Sequence, residues 1–310
     1  MSQKIPRRSF IKTSAAISAS SLIGSSFLTT LVYGKGTVDI SIVKGGNYFE
    51  NTIKAVEQLG GMKKFVPKNS KVALLPNVQR NNPGTYTKPE ILRAVIQMCK
   101  KAGAKEISCL SWLSEQNWEN TGLLKVIQKE EAQLVLIDGK DESFFKAVKI
   151  PDGKALKEAS IMKEFYNYEV FINMPITKDH AGNKFTGTLK NLMGLNAPTN
   201  NRTFHQKDWK TDINAITHLD QCIADLNTII KPDLCIVDAT EFITTNGPFG
   251  PGELIKPQKV VAGTDRVAID AYCCTLWGLE VKDIIMINKA SEHGLGEMDL
   301  KKVKIKVVKV

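Results

Sequence analysis

Val170-Phe171-Ile172-Asn173-Met174-Pro175-Ile176-Thr177-Lys178-Asp179-His180-Ala181-Gly182-Asn183-Lys184-Phe185-Thr186-Gly187-Thr188-Leu189-Lys190-Asn191 decides the fold. It opens with five residues, Val170–Met174, that are apolar except for Asn173 and bounded by Pro175, the signature of a buried strand. A polar loop follows, and Thr186 or Gly187 then caps a helix running through Leu192. Strand, polar loop and helix in that order are the unit of an α/β sheet.

The same unit recurs on both sides. Val38–Val43 is a β-branched run, followed by a helical pattern from Asn47 to Leu59 that stops at Gly60-Gly61. Val72–Leu75 is a short strand ended by Pro76, and Thr87 with Pro89 opens a helix with an apolar face of Ile91, Leu92, Val95, Met98 and Cys99. Ile107–Leu110, Leu134–Ile137, Leu234–Val237 and Val260–Ala262 read as further strands. Leu123–Ile127, Ile213–Ile230 and Arg266–Leu276 read as helices, and Phe144–Tyr168 shows no clear period around its Pro151-Asp152-Gly153 turn. The tail alternates Val303, Ile305 and Val307 with Lys304 and Lys306, a half-exposed strand. The expected fold class is therefore α/β, a mostly parallel sheet with helices on both faces, with possible lobes at 35–150 and 151–310.

In open α/β sheets ligands bind beyond the carboxyl ends of the strands. Asn77, Lys178 and His180, Asp238 and Glu241, and Asp265 each follow a predicted strand, so parallel strands would bring them to one rim. Lys178 and Lys190, with the helix N-terminus at Thr186–Thr188, form an expected anion site. His180 is the candidate acid/base, because an imidazole titrates near neutrality. His205, in the loop Asn200–His205, is the candidate metal ligand together with His180 and Asp238 or Asp265, although either carboxylate would serve equally well as a cap. The run Gly247-Pro248-Phe249-Gly250-Pro251-Gly252 lacks a following helix and reads as a rigid turn on the rim. No Walker A, G-x-G-x-x-G or G-x-S-x-G pattern occurs.

Composition excludes several classes. The chain has 310 residues, 43% hydrophobic and 24% charged, which removes collagen-like, disordered and disulfide-scaffold readings. Its net charge of +10 invites a nucleic-acid reading, but the lysines are scattered without neighbouring aromatics, so no nucleic-acid partner is expected. Four of those charges, Lys4, Arg7, Arg8 and Lys12, fall in residues 1–34, which contain no acid. From Thr13 to Gly34 the sequence is uncharged but rich in Ser and Thr, too mildly apolar for a permanent anchor. Arg7-Arg8-Ser9-Phe10-Ile11-Lys12 resembles the twin-arginine (Tat) export signal, with residues 1–34 as the signal peptide and 35–310 as the α/β body. A bacterial periplasmic or otherwise extracytoplasmic location follows, with the Tat machinery as partner and no stable membrane anchor. Six cysteines (Cys99, Cys109, Cys222, Cys235, Cys273, Cys274) show no Cys-x-x-Cys spacing and read as buried small hydrophobes.

The ordered series Ile172-Asn173-Met174-Pro175, Lys178-Asp179-His180, Thr188-Leu189-Lys190-Asn191-Leu192-Met193-Gly194, His205 and Ile223-Ala224-Asp225-Leu226-Asn227 resembles the family labelled domain of unknown function 362. The resemblance continues through Ile236-Val237-Asp238-Ala239, Gly263-Thr264-Asp265-Arg266 and Glu292-His293-Gly294-Leu295-Gly296, and backwards to Leu75-Pro76-Asn77. It implies pocket roles for Lys178, His180, Lys190 and Asn191; Asn77, Thr188, Asp238 and Asp265, read from their places after strands and at the helix start, are the further expected substrate contacts. Some relatives carry iron–sulfur ligands; this chain departs by lacking a ferredoxin-type cysteine cluster, which leaves a metal as the open cofactor reading. It departs again at Leu75, where a lysine is expected, and at Cys109-Leu110-Ser111. The resemblance names no reaction. The expectation is an exported enzyme acting on a small anionic substrate, or a non-catalytic binding protein or carrier built on the same rim.

Overall fold

The computed structural model describes residues 38–310 and, before them, the strand Leu31–Val32. The segment read as an export signal, with Arg7 and Arg8, otherwise lies outside the described residues. Along the first half run β1 (Leu31–Val32), β2 (Ile40–Lys44), α1 (Tyr48–Gln58), β3 (Lys71–Pro76), α2 (Pro89–Ala102) and β4 (Glu106–Ser111). Then come α3 (Glu115–Asn120), α4 (Leu123–Lys129), β5 (Gln133–Leu136) and the hairpin β6 (Phe145–Lys149) and β7 (Glu158–Met162). The second half holds β8 (Val170–Met174), α5 (Thr188–Asn191), α6 (Pro198–Phe204), α7 (Ile213–Ile229) and β9 (Leu234–Ala239). It ends with β10 (Phe242–Ile243), β11 (Leu254–Ile255), β12 (Lys259–Gly263), α8 (Arg266–Cys274), α9 (Ile285–Glu292) and β13 (Ile305–Lys309).

One sheet carries the fold, in the order β1-β13-β2-β12-β9-β8-β3-β4-β5. From β5 through β4, β3 and β8 to β9 every pairing is parallel. β2 and β13 run the same way as that block, while β12 is antiparallel to both β9 and β2. The strands on either side of residue 150 interleave in this single sheet.

Alternation along each strand divides two cores. Val72, Leu74, Ile172 and Ile236 face one layer, built by Ala55 and Val56 of α1, Ile91 and Val95 of α2, Trp118 and Ile127. Ala73, Leu75, Phe171 and Val237 face the other, built by Leu189, Leu219, Ile223, Ile269 and Ile287 of α5, α7, α8 and α9. The expected mostly parallel α/β sheet with helices on both faces is what the chain forms. All six cysteines are buried and unpaired within these layers, as their spacing suggested.

Two details correct the sequence reading. Phe144–Tyr168 is a hairpin flanked by short helical turns, hidden because its strands are unevenly buried and show no period. The reversal of β12 matters more, because it carries Asp265 to the edge of the sheet opposite the carboxyl ends of β3, β4, β8 and β9.

Candidate functional site

β3 and β8 end side by side, with Pro76 paired to Met174, and the chain leaving each of them builds the site. Asn77 follows β3; its backbone N–H donates to the Thr87 hydroxyl at 3.0 Å and its N–H and carbonyl are thereby clamped against Thr87. Beyond β8 the chain folds back on itself, so that Lys178 and Thr186 pair as a two-residue ribbon. The turn of this ribbon needs Gly182, at φ +79°, because a side chain there would run into the Trp209 carbonyl. The ribbon points Lys178 inward and fully buries it.

Lys178 Nζ donates to the Thr85 carbonyl at 2.6 Å and to Asn77 Oδ1 at 3.3 Å. Asn77 in turn donates to Asn191 Oδ1 (3.1 Å), and Asn191 donates to Asn173 Oδ1 (2.7 Å) and to the Leu75 carbonyl (2.9 Å). This line of amides crosses from one strand end to the next and fixes the floor of the pocket. Lys190, one step along α5, reaches Asn183 Oδ1 at 3.3 Å, with Met193 Sδ at 3.9 Å. Asn183 also donates to Asp220 Oδ1, and the second oxygen of Asp220 accepts from the Met286 N–H. Among the described residues neither lysine is in ion-pair contact with a carboxylate.

Burial, followed by the charge of Lys190, pushes Lys178 down to about 7. Burial also lowers Lys190, against the opposing pull of Asp220, and burial raises Asp220 against the pull of Lys190. His180 Nδ1 lies 2.6 Å from the Ala181 carbonyl, and His205 Nδ1 lies 2.9 Å from the Asn201 carbonyl. A carbonyl only accepts, so both Nδ1 atoms carry the proton and both Nε2 atoms keep a lone pair. Burial and the Lys190 charge hold both imidazoles below their ordinary value, His180 far below it. The two rings flank Trp209, at centroid distances of 5.4 and 4.8 Å. Together these groups line a cavity of about 420 Å³, within the range of roughly 300–1,000 Å³ usual for small-molecule sites.

The structure therefore brings Asn77, Lys178, His180, Lys190, Asn191 and His205 to one pocket and leaves Thr188, Asp238 and Asp265 out of it. Thr188 is buried with its hydroxyl donating to the Arg266 carbonyl. Asp238 accepts from the Lys88 N–H and from both the N–H and the hydroxyl of Thr240, so its charge locks β9 to the start of α2. Asp265 caps α8 through the Ala268 N–H and accepts from the Glu297 N–H. The two carboxylates expected to complete a metal set with His180 and His205 are thus spent elsewhere, and two cationic lysines stand beside the imidazoles instead. Among the described residues no cluster of three or more His, Cys, Asp or Glu has metal-binding geometry.

The helix N-terminus expected to hold an anion is likewise occupied from within. The N–H groups of Thr188 and Leu189 donate to the two oxygens of Asp270 at 2.6 and 3.0 Å, and Gly187 leaves room for that carboxylate. Asp220, Asn183, Trp112, Trp209 and the Thr85 carbonyl were not singled out from sequence. Only Asp220 left a trace there, as one of the polar residues, with Gln221, Asp225 and Asn227, that α7 buries among its apolar ones.

Comparison with known proteins agrees with the motif reading. The chain is 30% identical over 166 residues, 50% of either protein, to the thylakoid-associated protein sll1697 of Synechocystis sp.. Among solved structures, the lactate racemase apoprotein of Thermoanaerobacterium thermosaccharolyticum has a TM-score of 0.47 at 14% identity, over 80% of this chain and 61% of that one. A Thermotoga maritima protein has a TM-score of 0.41 at 14% identity, over 63% and 51%. The chain spans about half the length of the curated relative it matches. Residues 72–275, from β3 to the end of α8, match the family described as domain of unknown function (DUF362), and the chain belongs to that family.

Proposed function

We propose that the protein is an enzyme that binds a small anionic substrate between Lys178 and Lys190 and moves a proton on it with His180. The observation that carries this reading is a pair of buried lysines, lining one cavity, with no carboxylate in contact. A buried cation without direct ion-pair contact is costly. Asp220 acts on Lys190 only across Asn183, and Lys178 has no acid partner among the described residues, so an anion entering the cavity supplies the missing contact. Asn77 and Asn191 hold the floor in register, so the charges are set before the ligand arrives. His180 presents an unprotonated Nε2 as a general base, and His205 offers a second acceptor of the same kind.

Titration with acetate and inorganic phosphate, followed by tryptophan fluorescence, tests the anion site. Lys178→Ala and Lys190→Ala should each abolish the response; an unchanged response in both would remove the site. Proton transfer is read by NMR as deuterium uptake from D2O into a bound carboxylic acid. His180→Ala should keep binding and lose exchange. Binding without exchange in the unmodified protein would instead support the carrier reading.

The same proposal includes export. The twin-arginine pattern at Arg7 and Arg8 supports delivery by the Tat machinery to an extracytoplasmic compartment. An Arg7→Lys, Arg8→Lys double variant should accumulate in the cytoplasmic fraction. No helix among the described residues is long and apolar enough to cross a membrane.

A further inference from the structure

The pocket changes character with depth. Lys178 and Lys190 lie buried at the floor beside Asn77 and Asn191. The rest of the lining is mainly apolar and rich in rings: Trp112, Trp209 and the two imidazoles, together with Leu75, Leu110 and Met193. At the mouth stand the exposed side chains of Arg202, Lys210 and Phe249. The lining thus contains four cations and no carboxylate. Two lining residues also hold buried polar atoms without a partner, the indole Nε1 of Trp112 and the hydroxyl of Thr186.

A bare inorganic anion uses only the floor. It leaves the ring-lined walls facing water and the mouth cations without an anion, Arg202 holding only the Pro198 carbonyl at 3.4 Å among the described residues and Lys210 lying over the Trp209 ring at 5.4 Å. A flexible aliphatic acid covers the walls but gains nothing from ring-to-ring geometry, and freezing its chain costs rotamer entropy. A flat ring matches both demands, because aromatic pairs gain beyond their buried area and a rigid body loses little freedom on binding. Cations at both ends of such a body select an acid charged at both ends.

Building on the anion-site reading above, we infer that the ligand is an aromatic acid with two anionic groups. One group sits on Lys178 and Lys190, the ring lies against Trp209 and Trp112, and the second group faces Arg202 and Lys210. A monoanionic aromatic acid fills the floor and the walls and leaves the mouth unpaired.

The test is a calorimetric titration of the full chain at fixed ionic strength with isophthalate, benzoate, adipate, acetate and inorganic phosphate. Isophthalate is expected to bind tightest, with benzoate about tenfold weaker and adipate weaker by a similar factor, the size of one aromatic or charged contact. An Arg202→Met, Lys210→Met double variant, whose changes lie on exposed side chains, should remove the preference for isophthalate over benzoate and leave acetate unchanged. Trp209→Leu should remove the preference over adipate; should that variant fail to fold, Trp112→Leu provides the same comparison from the other wall. If acetate or phosphate binds as tightly as isophthalate, or adipate more tightly, the aromatic diacid is wrong while the anion site stands. If none of the five binds, both readings fall together.

Discussion

Two clusters of buried charge lie on the same side of the sheet, and they are finished differently. Asp225, fully buried in α7, accepts from the Ala155 and Leu156 N–H groups at 2.7 and 2.8 Å, from Gln221 at 2.8 Å, and contacts His293 Nε2 at 2.7 Å. Every lone pair of that carboxylate has a partner, and it ties α7 to the end of α9 and to the turn of the β6–β7 hairpin. Lys178 and Lys190 are also buried but are met by amides, a carbonyl and the Met193 thioether, with no carboxylate among the described residues in direct contact. Both clusters fall in segments that carry the family resemblance. The closed one ties elements of the fold together, and the open one is the place we propose for an anion. Burial does not distinguish the two clusters; completion of the partner set does.

Breaking the closed cluster should produce the largest effect. Asp225→Ala leaves two backbone donors, an amide and an imidazole without an acceptor, and should cost about 3–5 kcal/mol in urea unfolding. Burial raises the Asp225 carboxyl, but hydrogen bonds from Leu156, Lys154, Ala155 and Gln221 outweigh it and leave it below its usual range. A depressed folded value stabilises above the unfolded carboxylate value and is lost as pH falls through the folded one. The wild type should therefore converge on the variant only in acid, below about pH 4. Gly187→Ala acts on a second closed site, since the added methyl runs into the Asp270 carboxylate that caps α5. Its cost should be roughly 1–3 kcal/mol by thermal unfolding, as for other overpacked interiors.

The same division explains what could be read from the sequence. The strands were legible because each is an apolar or β-branched run stopped by Pro, Gly or a polar turn. Lys178, His180 and Lys190 were legible because one continuous stretch, the loop after β8 and the α5 that follows it, carries all three. What was hidden is direction and distance. Nothing in Val260–Ala262 records that β12 runs against its neighbours, so Asp265 was placed on the wrong edge. The cap on Thr188 and Leu189 comes from Asp270, some 80 residues away in sequence, so that helix N-terminus looked free. Asp238 looked like a rim acid because its three donors, from Lys88 and Thr240, belong to other segments or to the turn beyond it. Long-range partners decide which charges are finished, and a lone sequence shows only the charges.

Closing the open cluster by substitution should act in the opposite sense to Asp225→Ala. Lys178→Met removes a buried cation of similar length and leaves Thr85 O and Asn77 Oδ1 without their donor. The relief of burying charge exceeds that loss, so the variant should be more stable near pH 7 by about 1–2 kcal/mol while no longer binding anions. The sign follows from linkage. Lys178 sits at about 7 in the folded protein, against about 10.4 in an unfolded chain. Between those values the unfolded state binds the extra proton, so wild-type stability rises with pH and the advantage of Lys178→Met should shrink toward pH 10.

The finest test of the open cluster is titration of the site itself. The proposed anion site draws on both lysine charges; Lys178 loses its proton near pH 7 because burial and Lys190 both disfavour its charge, and Lys190, lowered by burial to about 8, follows. Anion affinity should fall as pH rises above 7, by no more than about tenfold per unit for a single group. His180, held far below the ordinary imidazole value by burial and by Lys190, stays neutral across that range and adds nothing to the profile. His180→Gln should leave the slope above pH 7 in place, whereas Lys178→Met should erase any binding that could show one. A slope centred near 6.5 that vanished in His180→Gln would make the imidazolium the anion's partner and reverse the roles of histidine and lysine.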